Sequence, residues 1–162
     1  MRRQGENLHI SVLSAIKKVA NDTGTDFLYM CKLADIESKF DPNARNKRSS
    51  ARGLYQIIRS TERSIRRKHN IKGSIYNPRV NALMVASLIK EYSPMKSYTG
   101  LYLMHFLGKR TYMTLADAHD SELVRNIIPK AYGANKGLIG NKTKKQFIKH
   151  IDELMDKARG CE

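Results

Sequence analysis

Apolar side chains recur every three or four residues over most of this chain, and the first such run, Leu8, Val12, Leu13, Ile16, Val19 and Ala20, predicts an amphipathic helix broken at Asp22-Thr23-Gly24. A second helix follows, with Thr25 suited to cap its start and Asp26 to the positive end of its dipole. It should end at Asp41-Pro42, because proline disfavours helical geometry in the residue before it. Residues 41 to 53 read as a polar loop, and Ser60 or Thr61 can open a short basic helix. Asn77-Pro78 is a cap followed by proline at the first helical position, leading into Leu83, Val85, Ala86, Leu88 and Ile89. Further helical runs are expected over Gly100 to Leu107, Thr111 to Ala118 and Glu122 to Ile127. The closing helix, Thr143 to Ala158, carries Phe147, Ile148, Ile151, Leu154, Met155 and Ala158 on one side. No window alternates with period two, so the expectation is a mainly α chain with at most a tiny hairpin near Gly53 to Ile57.

Within this pattern Glu37 is out of place. It falls in the last turn of the second helix, on the face of Met30, Leu33 and Ala34, which a water-soluble protein turns inward. An acid there is partly desolvated, and the negative end of the helix dipole also disfavours its ionised form. Both effects keep a proton available near neutral pH, as a general acid requires. The alternative is an ordinary helix-end acid paired with Lys39, Arg45 or Arg52. Downstream, Ser49-Ser50-Ala51-Arg52-Gly53-Leu54-Tyr55-Gln56 combines small residues, which let backbone approach a ligand, with hydroxyl and amide groups that hydrogen-bond sugars. Taken alone it also fits a flexible surface loop.

Composition narrows the partners. A chain of 162 residues with 41% apolar content suffices for one domain with a sizeable core. Thirty Lys and Arg against fifteen Asp and Glu give a net charge of +15, which attracts anionic polymers or envelopes. The basic run from Arg63 to Lys68 fits a nucleic-acid patch or a solvated helix face, and no base-reading motif accompanies it. Nucleic acid is therefore the disfavoured partner. No stretch approaches the roughly 18 apolar residues of a membrane span. The Met1-Arg2-Arg3 start leads into an amphipathic segment without the apolar core of a signal peptide, so the chain is expected to be made and folded in a cytoplasm. Cys31 and Cys161 are too few for a disulfide framework and are expected as free thiols. The histidines, 9, 69, 105, 119 and 150, lack metal-ligand spacing, and no α/β pattern supports a serine nucleophile elbow, so neither a metal nor a cofactor is expected.

Two segments carry a family resemblance. Glu37, Ser38, Phe40, Asp41 and Pro42, followed by Ser50, Ala51, Gly53, Leu54 and Gln56, resemble the Glu-Ser-x-Phe/Trp-Asp/Asn-Pro and Gly/Ser-Ala-x-Gly-Leu-x-Gln signature of the goose-lysozyme-like soluble lytic transglycosylases. Gln56 stands 19 residues beyond Glu37, the family spacing. Tyr102-Leu-Met-His105-Phe-Leu-Gly108 resembles the His-Phe-Leu-Gly form of that family's Ala-Tyr-Asn-x-Gly motif seen in phage-type members. If Gly108 aligns with the motif glycine, His105 takes the slot of the tyrosine that hydrogen-bonds the catalytic acid, and Tyr102 lies one turn before it. Ala131-Tyr132-Gly133 falls where the family places another cleft tyrosine, although core packing suits Tyr132 equally.

The resemblance spans about residues 25 to 140. It implies a single lysozyme-like catalytic domain over 1–162 with a substrate cleft, Glu37 as catalytic residue, and Ser49, Ser50, Tyr55, Gln56, Tyr102, His105 and Tyr132 as substrate contacts. The implied activity is lytic cleavage of the peptidoglycan bond between N-acetylmuramic acid and N-acetylglucosamine, leaving 1,6-anhydromuramic ends. A hydrolysing muramidase using the same glutamate, and a non-catalytic binder of polyanions or nucleic acid, are the alternatives. The form of the motif and the charge resemble a phage endolysin released through a holin, or a virion-associated lysin. The expected partners are glycan strands and the anionic envelope, met by a monomer.

Overall fold

A computed structural model describes residues 2–161, with side chains from Gly5 onward. Ten helices are present among the described residues, and they fall into two compact units. The first runs through Glu91 and takes in the chain again from Ala158; the second covers Tyr92–Lys157.

In the first unit, α1 (Arg2–Thr23) packs on α2 (Phe27–Ser38) and α4 (Pro78–Glu91), and α3 (Arg59–His69) packs on α4. The buried stripe of α1 is Val12, Ile16, Val19 and Ala20. Leu8, expected to start that stripe, is 48% exposed. Asp26, not Thr25, caps α2, its carboxylate accepting from Tyr29 N at 2.9 Å, while the Thr25 hydroxyl turns to Thr23 at 2.8 Å. The helix stops earlier than Asp41-Pro42, because Lys39 and Phe40 adopt left-handed φ values of 51° and 63°. Asn77 caps α4 as expected, accepting from Arg79 N at 2.9 Å.

The second unit holds α5 (Tyr98–Leu107), α6 (Lys109–Asp117), the short α7 (Val124–Ile127), α8 (Pro129–Ala134) and α9 (Lys136–Ile139), and α10 (Lys144–Lys157). Ser97 caps α5 through Gly100 N at 3.1 Å, and Gly108, at φ 82°, turns the chain into α6. α10 lies on α5 and buries Phe147, Ile151 and Met155. Pairing between extended segments is limited, among the described residues, to isolated bridges at Arg45–Arg52, Arg52–Ile57 and Leu123–Thr143.

The free-thiol expectation is corrected. Cys31 and Cys161 form a disulfide across 130 residues, with Cα atoms 5.3 Å apart. What brings them together is invisible in their spacing. Arg159 lays the tail on α2, its backbone N–H donating to Asp35 at 2.8 Å and its guanidinium at 3.1 and 3.2 Å, while Lys32 donates to Ala158 O at 3.2 Å.

Constraining so long a loop typically adds about 2–4 kcal/mol. Cys161→Ser is expected to lower Tm by about 5–15 °C, and dithiothreitol to lower the wild type equally while leaving Cys161→Ser unmoved. An unchanged wild-type Tm under reduction would show that the bond adds nothing to stability.

Candidate active site

Glu37 is the penultimate residue of α2, following the buried Tyr29, Met30, Leu33 and Ala34. The helix must end immediately after it for the loop to return, and two left-handed residues do this, Lys39 N donating to Asp35 O at 3.0 Å and Phe40 N to Ala34 O at 3.3 Å. Ser38 then fixes the helix end to the returning loop, its hydroxyl 2.7 Å from Leu54 O and 3.2 Å from Ala34 O.

The loop is itself held from below. Gly53 has φ 83°, and a Cβ there would collide with Asn81 Nδ2 and come within 2.8 Å of Ile75 O, so only glycine fits. Asn81 is fully buried on α4 and bridges the layers, accepting from Tyr55 N at 3.0 Å and donating to Ile75 O at 2.9 Å. The Tyr55 hydroxyl reaches back to Met30 O on α2 at 3.0 Å. Helix, loop and α4 are thus locked together through buried polar groups that all have partners.

Electrostatics distinguish Glu37 from its neighbours. It is half-buried and, among the described residues, forms no ion pair or hydrogen bond through its carboxyl. Burial raises its pKa from 4.5 to about 8. The cations nearest in sequence do not neutralise it: Arg52 pairs with Glu62, Arg45 lies over the Tyr76 ring at 5.0 Å, and Lys39 is exposed and forms no ion pair among the described residues. Asp41 is exposed and accepts from Asn43 N at 2.9 Å, a local turn brace.

A family model described as the transglycosylase SLT domain matches residues 14–154. The chain belongs to this family. It is a peptidoglycan lytic transglycosylase, and its mainly helical architecture is the lysozyme-like fold that goes with that membership.

The other expected contacts of the transglycosylase divide between the units. Tyr55 is corrected to a core residue: it is 0% exposed, its hydroxyl is bonded to α2, and burial holds that hydroxyl's pKa well above its ordinary value. Gln56 is half-buried, with φ 52°, and its amide nitrogen braces the loop at Gly53 O (3.1 Å) and Ala44 O (3.3 Å). Its carbonyl is the end left to meet a ligand. Ser49 and Ser50 are exposed; their oxygens accept from Ala51 N and Arg59 N, both at 3.1 Å, and each keeps a hydroxyl proton to donate.

In the second unit, Tyr102 is corrected from a presented ring to a packed one, 4% exposed and stacked on Phe106 with an interplanar angle of 5°. His105, in the last turn of α5, and Tyr132, on α8, are half-buried. Reading along the chain missed Asn81 and the stapling role of Ser38. Only the close approach at Gly53 could have pointed to Asn81, and that approach joins segments 28 residues apart.

A carboxyl whose folded pKa lies above its unfolded value keeps its proton where the unfolded chain loses it. The contribution of Glu37 to stability is then greatest below pH 4.5 and falls as pH rises toward about 8. Melting curves of wild type and Glu37→Gln across that range are expected to converge at the acid end and separate progressively at the alkaline end, the variant being the more stable. Parallel curves would show that Glu37 titrates normally.

Proposed function

We propose that this transglycosylase cleaves the β-1,4 bond between N-acetylmuramic acid and N-acetylglucosamine with Glu37 as its one acid and base. The observation that carries the reading is a half-buried carboxyl with no counter-ion, its pKa near 8, on a helix end stapled to the signature loop. At neutral pH such a group is mostly protonated, the form needed first. Glu37 gives its proton to the leaving glycosidic oxygen as the bond to C1 breaks. The substrate's 2-acetamido group stabilises C1, and the carboxylate now formed takes the proton from the C6 hydroxyl as that oxygen bonds to C1. The ring-closed 1,6-anhydro product leaves Glu37 protonated again.

Two-carboxylate hydrolysis is less well supported. The acids nearest Glu37 in sequence are engaged, Asp35 by Arg159 and Asp41 by its own turn. Ser49, Ser50 and the Gln56 carbonyl are the proposed sugar-binding groups of the first unit, and His105 and Tyr132 those of the second. We also place the enzyme's work in the cell wall, as a monomeric endolysin or virion-associated lysin. A disulfide, which persists in oxidising surroundings, agrees with action outside a reducing cytoplasm, and the His105-Phe-Leu-Gly108 motif supports the phage-type reading.

Glu37→Gln is expected to lower turbidity-clearing activity on sacculi by about 10²–10⁴-fold; activity within threefold of wild type would reject Glu37. Digestion in water enriched in heavy oxygen is expected to give unlabelled anhydro ends. Labelled reducing muramic ends as the main product would mean hydrolysis by a muramidase, and binding without cleavage would mean a non-catalytic binder.

A further inference from the structure

Helix α3 sorts its basic side chains into two groups. Arg66 pairs with Glu62 at 2.9 Å and donates to Gly73 O at 2.7 Å; Lys68 reaches Glu91 at 2.8 Å, with His69 at 3.5 Å from the same oxygen. The Lys68 hydrogen bond, outweighing the effect of burial, holds the Glu91 carboxyl below its ordinary pKa. Arg52 takes the other oxygen of Glu62. Glu62, on the helix, and Glu91, at the end of α4, are therefore already neutralised.

Arg59, Arg63 and Arg67 remain, all exposed and none in an ion pair among the described residues. At every fourth position they fan along one face over about 12 Å. The Ser50 hydroxyl accepts from Arg59 N at 3.1 Å, which brings the loop carrying exposed Arg48 to the start of the row. Between Pro42 and Gly73 the chain has ten Lys and Arg against the single acid Glu62, which is itself paired with Arg52 and Arg66, so this segment is strongly positive. Immediately before the row stands Ile58, 42% exposed.

Uncompensated guanidinium groups in a row select phosphate, which their planar donors bind as forks. Phosphates on nucleic acid and on lipid differ in what lies beside them. Unpaired bases call for aromatic platforms, and α3 has no Phe, Tyr or Trp, its one ring, His69, lying against Glu91. A lipid surface offers an acyl boundary, which suits an exposed aliphatic side chain at the end of a cationic face. No described helix is long and apolar enough to cross a membrane, so contact by this face would be peripheral.

We propose that Arg59, Arg63 and Arg67, with Arg48 and Ile58, form a docking face for a phosphate-bearing lipid surface. This binding needs no glycan cleavage and stands or falls apart from the catalytic reading.

The test is co-sedimentation of the full, disulfide-intact chain with phosphatidylcholine vesicles with and without phosphatidylglycerol. Binding is expected only with the anionic lipid. Replacing all three arginines by glutamine is expected to weaken it about 100-fold, near fivefold for each charge. Lys130→Gln, Lys136→Gln and Lys149→Gln together remove the same charge from exposed positions of the second unit and are expected to cost far less. Arg59→Lys, Arg63→Lys and Arg67→Lys together, which keep the charge but lose the planar donors, are expected to bind between the wild type and the glutamine variant. Equal losses from the arginine and lysine sets would overturn the proposal, as would loss of duplex DNA retention with vesicle binding intact, which would make the partner nucleic acid.

Discussion

Helix α2 carries two carboxylates two residues apart, which places Asp35 and Glu37 about 200° apart around its axis. The returning C-terminal tail reaches Asp35 and neutralises it with Arg159. On the other side Glu37 meets no cation, and burial keeps it protonated. The chain has a net charge of +15, so leaving one acid unpaired requires that many bases be directed elsewhere. Arg52 is held by Glu62, Arg45 by an aromatic face, Arg159 by Asp35, and the unpaired arginines of α3 point to solvent.

Geometry supports this separation of charge. The acid sits at a helix end that would fray if left to itself, since terminal carbonyls lack intrahelical partners. The N–H groups of the left-handed Lys39 and Phe40 and the Ser38 hydroxyl meet the carbonyls of Asp35 and Ala34, while Ser38 to Leu54 O and Asn81 to Tyr55 N hold the returning loop against that end. The signature residues therefore divide their work. Ser38, Gly53 and Tyr55 hold backbone in place, Ser49 and Ser50 keep a hydroxyl proton and Gln56 a carbonyl for a ligand, and Glu37 supplies the titrating group. A motif conveys which residues occur together; it does not tell which of them face a substrate and which face each other.

The tail contributes to the same end. The disulfide, the Arg159 pair and the Lys32 contact all converge on α2, and Leu28 lies 3.1 Å from where a Cβ on Gly160 would be. A short helix gains little stability from its own hydrogen bonds and relies on tertiary contacts to stay formed. Fixing α2 along its length limits how far the acid at its end can move.

Local rules determined much of this protein from the sequence. Helical periodicity set most of the elements, Asn77-Pro78 opened α4, and the position of Glu37 after Met30, Leu33 and Ala34 foretold a desolvated acid, since each depends only on residues within a turn or two. The disulfide, the fate of Tyr55 and Tyr102, and the role of Asn81 were decided by the tertiary structure. Tyr55 has the same composition of ring and hydroxyl whether it stacks on a sugar or bonds to Met30 O, and only the packing of α2 against the loop selects the second. Cys31 and Cys161 meet where Arg159 also reaches Asp35 from 124 residues away. Periodicity carries no information at that range, because such contacts are fixed by the folded arrangement of whole helices.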